Sequence, residues 1–250
     1  MKKIFLVSDL GCSVKVDGVR KSKTIDNNNG IIEQIKNALP STRKIVFFVS
    51  DPTDYGKNDN YAILTFESFR KSGFNFNEEL VIDNRFEGDI SEELKSTDLI
   101  FLSGGTTETQ MIFFENIGLR NLLNNYNGVI IGQSAGAINL ATDALSSPEE
   151  ESEIGKNYKW PGLAQTNINI EPHFNLNVST NLDIRLRNEL LKMSEENSLY
   201  ALCDGSHIYI DEVSSKIYGE AYLIEAGKIK KINDMGLVLD VEQLRKHHKN

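Results

Sequence analysis

Length, composition and charge place this chain among ordinary globular proteins. It has 250 residues, of which 40% are hydrophobic and 25% are charged, a balance that argues against a disordered or fibrous chain. The net charge of −9 argues against a nucleic acid or an anionic membrane as partner, because either would need a basic surface to displace counterions. We therefore expect a single globular domain over residues 1–250.

The two cysteines and the start of the chain bear on the compartment. Cys12 and Cys203 are too few for a disulfide framework and lack the spacing of a zinc site. The opening MKKIFLVSDLG places a short apolar run after two lysines, but the run breaks at Ser8-Asp9, too soon for a secretory signal. No apolar stretch approaches the roughly 20 residues that cross a bilayer. We expect a cytoplasmic protein with neither a metal nor a cofactor.

Short apolar runs alternate with helical patterns in the first part of the chain. The pattern predicts strands at 3–8, 44–50, 79–83, 98–103 and 128–132. It predicts helices at 30–39, 55–72, 91–96 and 107–126. Runs such as IVFFVS, LIFLS and VIIG are apolar throughout, which favours strands that are buried on both faces. Alternating strands and helices imply parallel strands joined by right-handed crossovers, and hence a three-layer α/β sandwich.

The second part of the chain is more polar. Residues 146–166 are polar, and the acidic run 149–151 within them is predicted to form a solvated loop. A strand is predicted at 167–171 and a helix at 182–193. Between 199 and 239, short β-like runs separated by Asp-Gly and Ala-Gly turns predict hairpins. The expected fold is a mostly parallel sheet with a C-terminal β-hairpin extension at its edge.

The most informative stretch is GVIIGQSAGAINLA at 128–141. An apolar strand runs into the pentapeptide GQSAG, centred on Ser134, and then into a helix. This is a G-x-S-x-G elbow in the strand-to-helix context that gives the motif its meaning. The sharp turn needs small neighbours, which Gly132, Ala135 and Gly136 provide, and it exposes the serine hydroxyl at the carboxyl end of the sheet. Ser134 is the candidate nucleophile; the alternative is a serine that only caps the helix.

A second glycine turn precedes the elbow, in DLIFLSGGTT at 98–107. Because adjacent parallel strands bring such turns side by side, the N–H groups of Gly105 and Ala135 could both donate to an oxyanion. The alternative is a tight strand–helix turn with no chemistry. The glycine pair is too short for a phosphate-binding loop, which needs a following Lys-Ser/Thr.

The chain offers four histidines as general base. His247 and His248 lie in the basic tail RKHHKN and are predicted to be frayed or solvated. His207 lies in a predicted strand whose alternation could simply place it at the surface. His173, in INIEPHF, follows a β-like run that Pro172 stops, a position suited to a cleft. By elimination His173 is the preferred base, with His207 second.

A histidine base needs a carboxylate that holds its tautomer and stabilises the imidazolium. Asp204, in ALCDGSHIYI, stands at a strand end before a glycine and is the first choice, although an Asp-Gly turn alone would also explain it. Asp143, Glu149 and Glu150, all on the segment after the elbow, are the alternatives. The residues alone do not decide among them.

Three segments, LSGGTT, GQSAGAINLA and EPHFN, resemble in order and spacing the peptidase E (aspartyl dipeptidase) and cyanophycinase group of serine peptidases. The resemblance extends from the first strand to about residue 211, and it is most specific in the elbow and the downstream PHF. It implies the class I glutamine-amidotransferase-like, flavodoxin-like sandwich.

The resemblance also implies roles for individual residues. The family's nucleophile corresponds to Ser134 and its general base to His173. Its oxyanion donors correspond to the N–H groups of Gly105 and Ala135. For the acid, one placement in this family falls on Asp204 and a competing one on Glu149.

Two positions depart from the family pattern. Thr106 follows the glycine turn, where the family usually has asparagine. The arginine expected to bind a substrate aspartate aligns with Leu182, and Arg185 and Arg187 nearby could be ordinary surface cations. Hydrolase chemistry therefore carries over to this chain, whereas aspartyl specificity does not.

The implied function is a serine peptidase that cleaves short peptides through an acyl-enzyme. Serine at the elbow, where related amidotransferases have cysteine, argues against ammonia transfer from glutamine. Two alternatives stay open: a non-catalytic ligand-binding member of the same fold, and an esterase or acyltransferase with the same triad. The sequence leaves the oligomeric state open, with a homodimer as the candidate assembly.

Overall fold

The computed structural model describes residues 1–39, 41–156, 159–242 and 244, so that His247 and His248 lie outside the described residues. The strands in chain order are β1 (Lys3–Val7), β2 (Ser13–Val16), β3 (Val19–Ser22), β4 (Lys44–Phe48), β5 (Glu78–Ile82), β6 (Leu99–Leu102), β7 (Val129–Gln133), β8 (Asp143–Leu145), β9 (Lys159–Pro161), β10 (Ile170–Glu171), β11 (Leu199–Leu202), β12 (His207–Ile210), β13 (Ser215–Tyr218), β14 (Ala221–Glu225), β15 (Lys228–Asn233) and β16 (Val238–Asp240). The helices are α1 (Ile31–Ala38), α2 (Tyr55–Lys71), α3 (Ile90–Lys95), α4 (Thr107–Asn116), α5 (Leu119–Asn124), α6 (Ala135–Asn139) and α7 (Asn181–Met193), with a 3₁₀ turn at Glu151–Glu153.

The main sheet has the strand order β5-β4-β6-β7-β1-β12-β13-β16. The first five strands in this order are parallel, and β12, β13 and β16 continue the sheet in antiparallel pairing. β4, β6 and β7 are buried along their whole length because helices cover both faces of the sheet. The predicted three-layer α/β sandwich with a mostly parallel sheet is therefore confirmed.

The C-terminal strands divide between two sheets. β12, β13 and β16 extend the main sheet as predicted, whereas β11, β14 and β15 pair with β10 in a second, four-stranded sheet. The predicted C-terminal extension of the main sheet is therefore present, and it is made by three of these six strands. The chain passes between the two sheets at turns that contain a glycine with positive φ, such as Gly205 (φ 79°) between β11 and β12 and Gly219 (φ 90°) between β13 and β14.

Three local elements differ from the sequence-based expectations. The helix predicted at 107–126 is divided into α4 and α5 at Gly118, which adopts φ 65°. The β2–β3 hairpin was not predicted, although its loop, Asp17-Gly18 with φ 50° and 81°, is of the type that two-residue hairpins prefer. The polar segment 146–166 contains β9, a strand that the sequence did not predict and that pairs with β8. None of the described helices is long and apolar enough to cross a membrane.

The position of β1 brings three chain segments to one edge of the main sheet. The register pairs Val7 with the last residue of β7 and with the first residue of β12. Because β7 runs parallel to β1 and β12 runs antiparallel, the residues after β1, after β7 and before β12 meet at the carboxyl end of the sheet. Ser8, Ser134 and the turn that contains Asp204 therefore lie side by side. The Ser134 N–H donates to the Val7 carbonyl at 2.9 Å.

Candidate active site

Ser134 stands at the sharp turn between β7 and α6. Its backbone has φ 52° and ψ −116°, a strained conformation that projects the partly exposed side chain from the carboxyl end of the sheet. A Cβ on Gly136 would lie 2.3 Å from the Leu102 carbonyl oxygen, and one on Gly132 would lie 2.7 Å from the Gly136 carbonyl oxygen. Both glycines are therefore required for the close approach of α6 to β6 and β7.

His173 follows β10 and points its ring at the nucleophile candidate. Its Nε2 lies 3.0 Å from the Ser134 Oγ. The residue adopts φ 54°, and the turn is attached to β11 by the Phe174 N–H, which donates to the Leu202 carbonyl at 3.0 Å. The serine and the histidine selected from the sequence therefore lie within hydrogen-bond distance.

Asp204 lies on the other side of the imidazole, in the turn between β11 and β12. Its Oδ1 is 2.7 Å from the His173 Nδ1. The hydrogen bond to Asp204 raises the pKa of His173, and the same bond lowers the pKa of Asp204. The His173 and Asp204 side chains are 46% and 62% exposed, so that water screens part of this interaction.

The alternative carboxylates have other surroundings. Asp143 pairs with Lys159 at 3.4 Å, and Glu150 accepts a hydrogen bond from the Ser152 hydroxyl at 2.7 Å. Glu149 is exposed and lines the cavity beside the nucleophile candidate. Of the four candidates, the structure brings Asp204 into contact with the imidazole.

The glycine turn after β6 packs against the elbow. A Cβ on Gly104 would lie 3.3 Å from the Ser134 Cβ, which is a tight contact. A Cβ on Gly105 would lie 2.0 Å from the Ser50 Oγ, so that this position requires glycine. Gly105 also adopts φ 146°, which favours glycine. Among the described residues, neither the Gly105 N–H nor the Ala135 N–H donates to a backbone carbonyl. Both can therefore serve an oxyanion.

His207, the second choice for the base, is not at the surface, where strand alternation could have placed it. It is fully buried, because β12 is an interior strand between β1 and β13. Its Nε2 lies 2.9 Å from the Gln34 Oε1, and its ring stacks on Tyr218 at 5.0 Å. Burial lowers its pKa to about 3. His207 is therefore a neutral core residue, and its hydrogen bond and ring stacking are with Gln34 and Tyr218 rather than with Ser134.

The two free cysteines are poor nucleophiles. Cys12 lines a cavity that also contains Ser134, but burial raises the pKa of its thiol to about 12. Burial likewise raises the pKa of Cys203 to about 11. Both stay protonated near neutral pH, so neither supplies a thiolate. The described residues include no group of three or more His, Cys, Asp or Glu side chains placed to hold a metal ion.

Two cavities meet at Ser134. One of about 420 Å³ lies toward β1 and α2, where Arg20, Lys57 and Tyr61 line it. The other, of about 360 Å³, lies toward α4 and the acidic segment, where Glu149 lines it. These volumes fall in the range of small-ligand sites, about 300–1,000 Å³.

A third cavity, of about 310 Å³, lies beside His173 and contains a carboxyl that the sequence did not single out. Glu171 accepts a hydrogen bond from the Ser147 hydroxyl at 2.6 Å, and its Oε2 has no hydrogen-bond partner within the described residues. Burial raises its pKa to about 7. The signal in the sequence was its place two residues before the histidine, in EPH.

The arginines of α7 differ from each other. Arg185 forms an exposed ion pair with Glu151. Arg187 is half-buried, lines the cavity beside His173, and places its guanidinium 4.5 Å from the centre of the Phe174 ring. Leu182, at the position aligned with the family's arginine, is exposed. The description as a surface cation therefore fits Arg185 better than Arg187.

The sequence also did not single out two polar side chains that organise the loop after β1. The Gln133 Oε1 accepts from the Leu10 N–H at 3.2 Å, and its Nε2 donates to the Tyr61 hydroxyl at 2.7 Å. Ser8 contacts both His173 and Asp204. The signal for Ser8 was a polar residue directly after a buried parallel strand, where open α/β sheets bind ligands.

Comparison with known proteins agrees with this architecture. A sequence profile of peptidase family S51 matches residues 20–218. The chain is a peptidase and belongs to peptidase family S51. No curated protein sequence matches it.

Two solved structures share the fold. A peptidase from an acI-B1 Actinobacterium is 14% identical, covers 96% of both chains and superposes with a TM-score of 0.61. A putative peptidase E protein from Listeria monocytogenes EGD-e is 16% identical, with 93% of this chain and 100% of that chain covered and a TM-score of 0.56. Together with the profile, they confirm the resemblance to the peptidase E family that the three sequence segments indicated.

Proposed function

We propose that this peptidase hydrolyses short peptides through an acyl-enzyme on Ser134, with His173 as general base and Asp204 as its orienting acid. The observation that carries the proposal is the distance of 3.0 Å between the Ser134 Oγ and the His173 Nε2. It is the separation that proton transfer from a hydroxyl to a neutral imidazole needs.

Each proton has a place in the proposed reaction. Neutral His173 takes the hydroxyl proton while the Ser134 Oγ attacks the peptide carbonyl, and Asp204 stabilises the imidazolium through Nδ1–H. The N–H groups of Gly105 and Ala135 donate to the oxyanion of the tetrahedral intermediate. The C–N bond then breaks, and the imidazolium gives its proton to the leaving amine.

Water completes the cycle. It attacks the ester carbon of the acyl-enzyme while neutral His173 takes one of its protons, and the intermediate then releases Ser134. The imidazolium proton returns to the Oγ, and the carboxylic acid product gives its remaining proton to solvent and leaves as a carboxylate. No metal or cofactor takes part in these steps.

The dimensions of the cleft support a short substrate. The two cavities that meet at Ser134 have volumes of about 420 Å³ and 360 Å³, enough for a few residues on either side of a scissile bond. Both cysteines are free, which suits a reducing compartment, and we place the activity in the cytoplasm.

A fluorophosphonate probe and a substrate panel test the proposal. The wild-type protein should be labelled once, at Ser134, and Ser134→Ala should not be labelled. Hydrolysis of dipeptides in preference to p-nitrophenyl esters would support the peptide substrate. Turnover of esters alone would favour an esterase or acyltransferase with the same triad. A folded wild-type protein that takes no label and cleaves no peptide would favour a ligand-binding role.

A further inference from the structure

Ser8 is a fully buried serine that joins the base to the acid. It directly follows β1, the strand between the elbow strand β7 and β12. Its Oγ lies 2.7 Å from the backbone nitrogen of His173 and 2.9 Å from the Oδ1 of Asp204. One hydroxyl therefore contacts both the proposed base and the proposed acid, which the mechanism needs in a fixed relative position.

The directions of these two hydrogen bonds follow from the chemistry of the groups. The backbone N–H of His173 can only donate, so the Ser8 Oγ accepts from it. The ionised carboxylate of Asp204 can only accept, so the single hydroxyl proton of Ser8 points at Oδ1. The same Oδ1 accepts from the His173 Nδ1–H at 2.7 Å. The three residues thus form a closed ring of hydrogen bonds.

The ring matters because the two functional side chains are exposed. The Asp204 and His173 side chains are 62% and 46% exposed, and His173 stands at φ 54°. Packing therefore does little to hold either side chain. Ser8, in contrast, is anchored in the sheet, where its own N–H donates to the Ser206 carbonyl at 3.2 Å. It is the buried member of the ring, to which the two exposed members are attached.

We infer that Ser8 is a positioning residue, whose hydroxyl holds the Asp204 carboxylate against the Nδ1 of His173 and fixes the backbone of His173. The inference rests on the proposed function, since it concerns the orientation of the proposed base. Ser8 is fully buried and its hydroxyl bonds to His173 and Asp204, so it acts through these two residues.

The first test is Ser8→Ala, with Ser206→Ala as its control. Ser206 is equally buried in the adjoining turn, but its hydroxyl has no hydrogen-bond partner among the described residues. Ser8→Ala should lower kcat about 10- to 100-fold, the usual effect of losing a hydrogen bond to a charged group, and should leave KM almost unchanged. Ser206→Ala should retain wild-type kcat and KM.

The pH profile separates positioning from a general structural effect. Without its attachment to Ser8, Asp204 moves away from the imidazole, and the pKa of His173 falls toward its ordinary value. The acid limb of kcat/KM should therefore move to lower pH in Ser8→Ala and stay in place in Ser206→Ala. Ser8→Cys, which keeps the shape with a weak donor, should show the same direction of change and covers the case of an Ala variant that folds poorly.

A double-mutant cycle gives the decisive result. If Ser8 acts through Asp204, then Ser8→Ala should lower kcat much less in an Asp204→Ala background than in the wild type. Equal losses in both backgrounds, or wild-type kcat in Ser8→Ala, would overturn the inference. Failure of the wild type and of Ser206→Ala to react with the fluorophosphonate probe would instead overturn the proposed function, and the inference with it.

Discussion

The His173 Nε2 lies 3.0 Å from the Ser134 Oγ, although 39 residues separate them and each adopts a positive φ, 54° and 52°. A positive φ costs energy for a side chain other than glycine, so the surrounding structure must enforce it. Glycines on both sides of the serine let helix α6 approach the sheet, and backbone hydrogen bonds hold the turn after β10. The strain is concentrated at the two residues that we expect to react.

Replacement of Ser134 by alanine should abolish peptide hydrolysis and leave the fold intact. The change removes a partly exposed hydroxyl and creates no cavity. Loss of a triad nucleophile typically lowers kcat by roughly 10⁶-fold. Dipeptide hydrolysis and circular dichroism, measured on the same preparation, check the two halves of this expectation. Substantial residual turnover by the folded variant would remove Ser134 from its role.

The rate should depend on the protonation of His173. The hydrogen bond to Asp204 raises the pKa of this histidine, and the proposed base must be neutral. The value of kcat/KM should therefore fall as pH falls through a pKa above the ordinary value of about 6.5. A profile of kcat/KM between pH 5 and 9 measures it. An acid limb of kcat/KM with a pKa below the ordinary histidine value would show that Asp204 and His173 do not pair in the active enzyme.

The sequence was sufficient to predict the parallel sheet and the elbow, because both follow from local rules. Fully apolar runs such as β4 and β6 favour burial on both faces, and G-x-S-x-G places small residues where α6 approaches the sheet. The Asp17-Gly18 dipeptide is an equally local signal, typical of two-residue hairpin loops, and the β2–β3 hairpin forms around it.

The role of Ser8 and the burial of His207, which sequence reasoning missed, depend on contacts between distant segments. Ser8 and Asp204 are 196 residues apart, and only the antiparallel pairing of β1 with β12 brings them together. His207 is buried because β13 and β16 continue the sheet beyond β12, which strand alternation cannot reveal. The strand pairing of the C-terminal part, rather than any motif, decides both.

Gly136→Ala should destabilise the protein and lower its activity. The new Cβ would lie 2.3 Å from the Leu102 carbonyl oxygen, so that α6 must shift and carry the elbow with it. Overpacking of this kind costs about 1–3 kcal/mol of unfolding free energy. Urea denaturation provides the measurement. Gly56→Ala is the matched control, since a Cβ there meets nothing within 4 Å, and equal stability of the two variants would contradict this account of the elbow.

Asp204→Asn should lower turnover far more than Glu149→Gln. An asparagine cannot stabilise the imidazolium and leaves the wrong tautomer, an effect worth up to roughly 10⁴-fold in kcat. Glu149 is exposed and lines the cavity, so its neutralisation should act mainly on KM. Steady-state kinetics of the two folded variants decides the matter. The reverse ranking would move the acid into the segment after the elbow.

The buried His207 should make the protein less stable in mild acid. Its pKa is about 3 in the folded protein and about 6.5 in an unfolded chain, so between these values only the unfolded state binds the proton. Stability should therefore fall as pH falls, and from pH 7 to 5 this single group accounts for about 2 kcal/mol. His207→Phe, which keeps a ring to stack on Tyr218, should lose correspondingly less stability over that interval.

Urea denaturation at pH 7 and pH 5 measures how the unfolding free energy changes with pH in the wild type and in His207→Phe. The two changes are compared, rather than the absolute stabilities. His173, with a raised pKa, contributes stability that is fully present in mild acid and is lost as pH rises through that pKa, but it does so equally in both proteins and cancels in the comparison. Gln34→Ala is the matched control, because it removes the hydrogen bond to His207 at 2.9 Å and leaves the titrating ring. That variant should keep the wild-type slope. If His207→Phe shows the same change of unfolding free energy with pH as the wild type, then His207 does not stay neutral in the folded core. The lowered pKa assigned to it would then be wrong.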